Sequence, residues 1–193
     1  MLVYHLTIWV KEPRSTSYIS WHQDSTYFGL RPYEHVTAWL ALTDASESMG
    51  CMRMATGSHL NGELAVSETR NDPSLLLRAG QVVHVDETSL DIEPVPLRAG
   101  QFSLHHTLTL HCSGPNQTES RRIGFGISYI PTRCRCIATQ RVNATLVRGD
   151  DRYGHFDLEA TPQATSVQDN ERQHAASVQR WNAMRAQIKA AMN

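Results

Sequence analysis

Paired cysteines are missing from this sequence. Its four cysteines are Cys51, Cys112, Cys134 and Cys136, and no two form a C-x-x-C pair. That excludes a zinc site built on thiolates. So sparse a set in a chain of 193 residues reads as reduced thiols, and a cytoplasmic protein is expected. Long apolar runs are missing too. No stretch is long enough to span a bilayer and the N-terminus shows no signal-peptide pattern, so no membrane partner is expected. Nor does charge of one sign dominate: 18 basic against 19 acidic side chains leave a formal net charge of −1. With no basic block, nucleic acid is not expected as a partner. Internal repeats and low-complexity tracts are likewise absent.

What is present is an ordinary globular composition, 40% hydrophobic and 19% charged, in a chain sized for one domain with a real core. Leu2, Tyr4, Leu6, Ile8 and Val10 alternate with other residues, which predicts a strand with one buried face. Further strands are expected over Tyr18–His22, His35–Leu42, Cys51–Ala55, Gln81–Asp86 and Gln101–Leu110. Over Arg122–Ile130, Ile123, Phe125, Ile127 and Tyr129 point one way while Gly124 and Gly126 point the other. A strand nearly bare on one face suggests that something approaches that face closely. About eight short strands broken by turn clusters predict a mainly β fold, a barrel or jelly roll. In the tail, Val178, Trp181, Met184, Ile188 and Met192 fall at spacings of three and four, the stripe of an amphipathic helix. The expected organisation is a single domain over residues 1–193, with a β core over about 1–148 and a C-terminal helix over about 166–192. That helix would pack on the sheet or on another subunit of an oligomer.

Ten histidines raise the question of which share a site. In Trp21-His22-Gln23-Asp24, His22 and Asp24 are alternate residues of an expected strand and share a face. His111, much later, can supply a third ligand from a neighbouring strand. Two histidines and a carboxylate on one face of an octahedron leave three open positions, as in non-haem Fe(II) oxygenases. A lone His-x-Asp is a frequent accident of sequence. Arg122 adds weight, because a loop after His111 returns the chain as the next strand and brings its guanidinium back to the same cavity. Its planar fork suits the far carboxylate of a 2-oxo dicarboxylate held on the metal.

With these residues in view, the chain resembles the phytanoyl-CoA dioxygenase family of Fe(II)/2-oxoglutarate oxygenases. The resemblance rests on Trp21–Tyr27 (WHQDSTY), Val36–Asp44 (VTAWLALTD), Gly50–His59 (GCMRMATGSH) and His111–Arg122 (HCSGPNQTESRR), in the family's order. It extends from near the N-terminus to about Ile130. It implies a double-stranded β-helix, a cupin-like jelly roll with flanking helices, using Fe(II), 2-oxoglutarate and O2. It implies metal ligation by His22, Asp24 and His111, and cofactor binding by Arg122, Ser113, Trp39 and Thr7. Related halogenases replace the carboxylate with a small residue. Asp24 is present, so hydroxylation of a C–H bond in a small or medium organic metabolite is expected, with release of succinate and CO2. Two departures stand out: Thr56-Gly57-Ser58-His59 replaces the usual Pro-Gly-Ser-His, and family members usually carry a longer N-terminal portion.

Tyr27, His35 and His105 are candidates to face the substrate, although wall packing with a satisfied hydrogen bond is the commoner fate of such residues. Two other readings stay open. One is a jelly-roll binding module without catalysis. The other is a metal enzyme that does not use 2-oxoglutarate, from which the role of Arg122 would distinguish the oxygenase.

Overall fold

The computed structural model describes residues 1–77, 81–160 and 166–191. Two β-sheets face each other. The larger runs in the order β14 (Asp157–Leu158), β13 (Asn143–Leu146), β1 (Leu2–Lys11), β11 (Arg122–Ile130), β4 (Val36–Ala41) and β9 (Phe102–His106). The smaller runs β2 (Ile19–His22), β10 (His111–Ser113), β5 (Met52–Ala55) and β8 (Ile92–Val95). Two minor ribbons pair β3 (Leu30–Arg31) with β12 (Arg135–Cys136), and β6 (Glu68–Thr69) with β7 (Gln81–Val82). The expected jelly roll is what forms.

β1 departs from its expected face. Its pairing with β11 shifts register between Val3 and His5, so Tyr4 is an extra residue, a β-bulge that re-aims the rest of the strand. Leu2 and Tyr4 enter the core, but Leu6, Ile8 and Val10 turn outward and are exposed. The inner face beyond the bulge carries Thr7 opposite Gly126, Trp9 opposite Gly124 and Lys11 opposite Arg122. The bare face of β11 is thus its inner, buried face. Large rings fill the space the glycines leave. A Cβ on Gly124 would stand 1.8 Å from Trp39 Cζ2, and one on Gly126 would stand 3.2 Å from Trp9 Nε1.

The strand expected over Gln101–Leu110 breaks after His106. Thr109 N donates to His106 O in a turn, which carries the chain from the larger sheet into β10 of the smaller one. The strand expected over Gln81–Asp86 is short for a similar reason. After β7 Val83 N keeps a sheet-like bond, to Trp21 O, and Asp86 then caps a 3-10 turn over Glu87–Ser89.

The tail forms α2 (Val167–Ala191). Met184 and Ile188 are buried in one cluster with Leu2, Tyr4, Phe28, Leu30, Ile130 and Phe156, and Trp181 packs against it. The helix therefore docks on its own chain. Val178 is more exposed than the stripe suggests, and Met192 lies outside the described residues.

Candidate metal centre

β2 ends at His22, and Asp24 opens a short helix, α1 (Asp24–Phe28). His22 and Asp24 are therefore not on one strand, as the sequence suggests. They still converge, because Gln23 between them stays extended at φ −118 and ψ 141. Gln23 pins this corner. Its amide donates to Gly62 O and Leu108 O, and its carbonyl accepts from Leu64 N. β10 lies beside β2 with His111 opposite His22.

One potential ligand atom from each of His22, Asp24 and His111 lies within 4.8 Å of the others. His22 Nδ1 is 2.9 Å from Ser20 O and His111 Nδ1 is 2.9 Å from Thr109 O. A carbonyl only accepts, so each Nδ1 carries the proton and each Nε2 keeps a bare lone pair. Burial lowers the pKa of both rings, and His22 beside it lowers His111 further. Both are thus neutral. Burial works against charge on Asp24, yet the contact with His105 holds its carboxyl well below the usual range. Two neutral imidazoles with free Nε2 atoms and one carboxylate make a donor set that suits Fe(II).

A directed chain of hydrogen bonds supports Asp24. Thr37 Oγ1 donates to Asp24 Oδ2 at 2.7 Å, so it accepts from His35 Nε2 at 3.1 Å. His35 Nδ1 then accepts from Thr107 Oγ1 at 3.1 Å. Both nitrogens of His35 are engaged, which places this fully buried residue behind Asp24. Burial drives its pKa down to about 4. His105 differs. Its Nε2 stands 3.4 Å from Asp24 Oδ2, its ring is 4.6 Å from that of His111, and neither nitrogen has a hydrogen-bond partner. Tyr27 is half-buried and faces α2, with Arg185 3.7 Å over its ring.

Arg122 lies on the inner face of β11 and is 1% exposed. Its Nη1 donates to Gly50 O at 2.7 Å, its Cζ lies 4.6 Å over the Trp39 ring, and its Nε has no partner. Among the described residues no carboxylate forms an ion pair with it. Burial lowers its pKa to about 10. A buried cation of this kind calls for an anion. Ser113 is buried nearby, bonded to Lys11. Thr7 is half-buried on the inner face of β1 and sits 3.1 Å from His5 Nδ1. Sequence reasoning missed Lys11, Gln23 and Gly50. Gly50 takes φ 69, and a Cβ there would meet Gly114 O at 2.2 Å. The available signal for Lys11 was its place in the alternation Thr7, Trp9, Lys11, hidden by the bulge.

The family model for Phytanoyl-CoA dioxygenase (PhyH) matches residues 1–124. A Caenorhabditis elegans protein named phytanoyl-CoA dioxygenase domain-containing protein 1 homolog is 28% identical over 123 residues, covering 61% of this chain and 42% of that protein. The chain thus spans less than half the length of that relative. Among solved structures, the non-heme monooxygenase ThoJ, in its apo form, superposes with a TM-score of 0.83 at 34% identity, over 98% of this chain and 68% of its own. The epimerase SnoN, in complex with Fe3+, alpha ketoglutarate and nogalamycin RO, gives 0.54 at 28% identity, over 70% of this chain and 52% of its own.

Proposed function

Because the chain belongs to the phytanoyl-CoA dioxygenase family, we propose that it forms the catalytic jelly roll of an Fe(II)- and 2-oxoglutarate-dependent oxygenase. The observation that carries this reading is a pair of buried groups linked through β10, whose His111 belongs to the first and whose Ser113, bonded to Lys11 opposite Arg122, reaches the second. Two bare imidazole nitrogens and a carboxylate converge in the first. A buried arginine without a carboxylate partner lies in the second. His22, Asp24 and His111 would hold the metal. Arg122 would take the far carboxylate of 2-oxoglutarate by paired hydrogen bonds, with Trp39 fixing the plane of the guanidinium and Ser113 adding a hydroxyl. The bound metal and 2-oxo acid would supply activation of O2 for oxidation of a substrate C–H bond, with succinate and CO2 as co-products.

The chain's own residues orient, shield and neutralise. The Thr107–His35–Thr37 chain keeps Asp24 charged and aimed, a support that metal ligands generally need. The proposed substrate is a small or medium organic metabolite. His105, whose Nδ1 has no hydrogen-bond partner and whose ring lies beside that of His111, is the polar group we place against substrate.

The test is anaerobic titration of the protein with Fe(II) and 2-oxoglutarate, followed by visible absorption. A weak metal-to-ligand charge-transfer band is expected, and His22→Ala should abolish it. Arg122→Ala should demand far more 2-oxoglutarate for the same band. Iron binding without any band would overturn the 2-oxo acid reading, and no iron binding would overturn the metal reading.

A further inference from the structure

Lys11 is the buried charge that the proposed function leaves unused. It ends β1 directly opposite Arg122 in the β1–β11 pairing and is 1% exposed. Its Nζ donates to Ser113 Oγ at 2.7 Å, to Gly114 O, and more weakly to Gly50 O at 3.4 Å. Gly50 O is also the acceptor for Arg122. Two buried cations thus share one carbonyl, and among the described residues neither has a carboxylate ion pair. Putting two like charges side by side out of water is costly unless an anion joins them.

The bond to Ser113 has a second effect. A hydroxyl has one proton. Ser113 Oγ accepts from Lys11, so its own proton must be directed elsewhere, as a donor. Ser113 enters the site from the smaller sheet and Arg122 from the larger, so Lys11 ties the two walls together.

We propose that Lys11 is a positioning residue for the far carboxylate of the 2-oxo acid: it turns the Ser113 hydroxyl into a fixed donor and adds a second positive charge beside Arg122. This rests on the Fe(II)/2-oxoglutarate reading above. Lys11 acts through Ser113 and through its field, and it need not touch the ligand. The site is thereby biased toward 2-oxo acids that carry a second carboxylate.

The test compares two acids on Lys11→Met, using the anaerobic charge-transfer band. One is 2-oxoglutarate; the other is 2-oxobutanoate, which chelates iron in the same way but has no far carboxylate. The expected result is a weakening of about tenfold to a hundredfold for 2-oxoglutarate, with little change for 2-oxobutanoate. The 2-oxobutanoate band also reports that the variant is folded and binds iron. A lysine that merely braces the loops would weaken both acids alike or neither, and either outcome overturns the proposal. Ser113→Ala provides a second route if Lys11→Met does not fold: it should show the same selectivity, and its absence would overturn the proposal. Where both single variants fold, the double variant should be little worse than the poorer one, because the two act as a unit. If the wild type gives no band with either acid, the Fe(II)/2-oxoglutarate reading itself fails.

Discussion

Gly124 shows how one missing side chain shapes the proposed cofactor site. The Trp39 ring occupies the space a Cβ would need, and Arg122 lies over that ring. Gly124→Ala should therefore cost about 1–3 kcal/mol through overpacking, read as a lower melting temperature. It should also weaken 2-oxoglutarate by displacing the surface that steadies Arg122. Unchanged affinity would show that the stacking does not position the guanidinium. Lys11 gives a pH dependence. Burial and Arg122 hold its pKa down to about 7. The groups that face it are Arg122 from β11, Cys112 from β10 and Cys51 just before β5. An anion favours the charged amine, so 2-oxoglutarate affinity should fall as pH rises through 7, and Lys11→Met should flatten that slope. Stability of the ligand-free protein should run the other way. The unfolded lysine keeps its proton up to its ordinary value of 10.5, so the unfolded state binds more protons between about 7 and 10.5, and this group's contribution to stability rises with pH there. Chemical denaturation of wild type and Lys11→Met across that window checks the sign.

Elements differ in how far the sequence announces them. β11 is legible because its glycines and apolar residues alternate without interruption, and its range is the expected one. α2 is legible from its 3.6-residue period, with Met184 and Ile188 buried as the stripe requires. The corner between β2 and α1 is not legible. What bends the chain after His22 is a set of long-range bonds from Gln23 to Gly62, Leu64 and Leu108, which no local pattern records. The same holds for the break at Thr107–Leu110, set by the change of sheet. The proposed ligands themselves stand out in the sequence because the extended residue between His22 and Asp24 preserves their shared side, even though a helix begins there. Gln23→Leu should leave the ligands in place but their corner unpinned. The loss of three hydrogen bonds, one of them buried, should cost about 2–4 kcal/mol, and metal affinity should drop about tenfold to a hundredfold, the usual scale for outer support. Thermal denaturation and titration with Mn(II), which needs no exclusion of air, measure the two effects separately.

Across the whole molecule, stability and chemistry draw on different ends. The cluster that gathers Leu2, Tyr4, Phe28, Ile130, Met184 and Ile188 joins the tail to the start of β1, while the proposed metal ligands lie where β2, α1 and β10 meet. Met184→Ala should cost about 2–5 kcal/mol and leave the metal and cofactor affinities of the folded fraction unchanged. Ile8→Thr, on the outer face where Ile8 is 62% exposed, should stay within about 0.5 kcal/mol of wild type. A denaturation midpoint for each variant tests the contrast. The extra residue at Tyr4 is what lets one strand serve both ends. β1 is spelled in a single alternating rhythm but read in two frames: its first letters fill the core, and its last ones wall the site. Because Tyr4 has no partner on β11, deleting it should leave every pairing from His5 to Lys11 intact. The deletion should lower the melting temperature while the affinity for 2-oxoglutarate holds, a change of text that loses a word from the core and leaves the sense of the site unaltered.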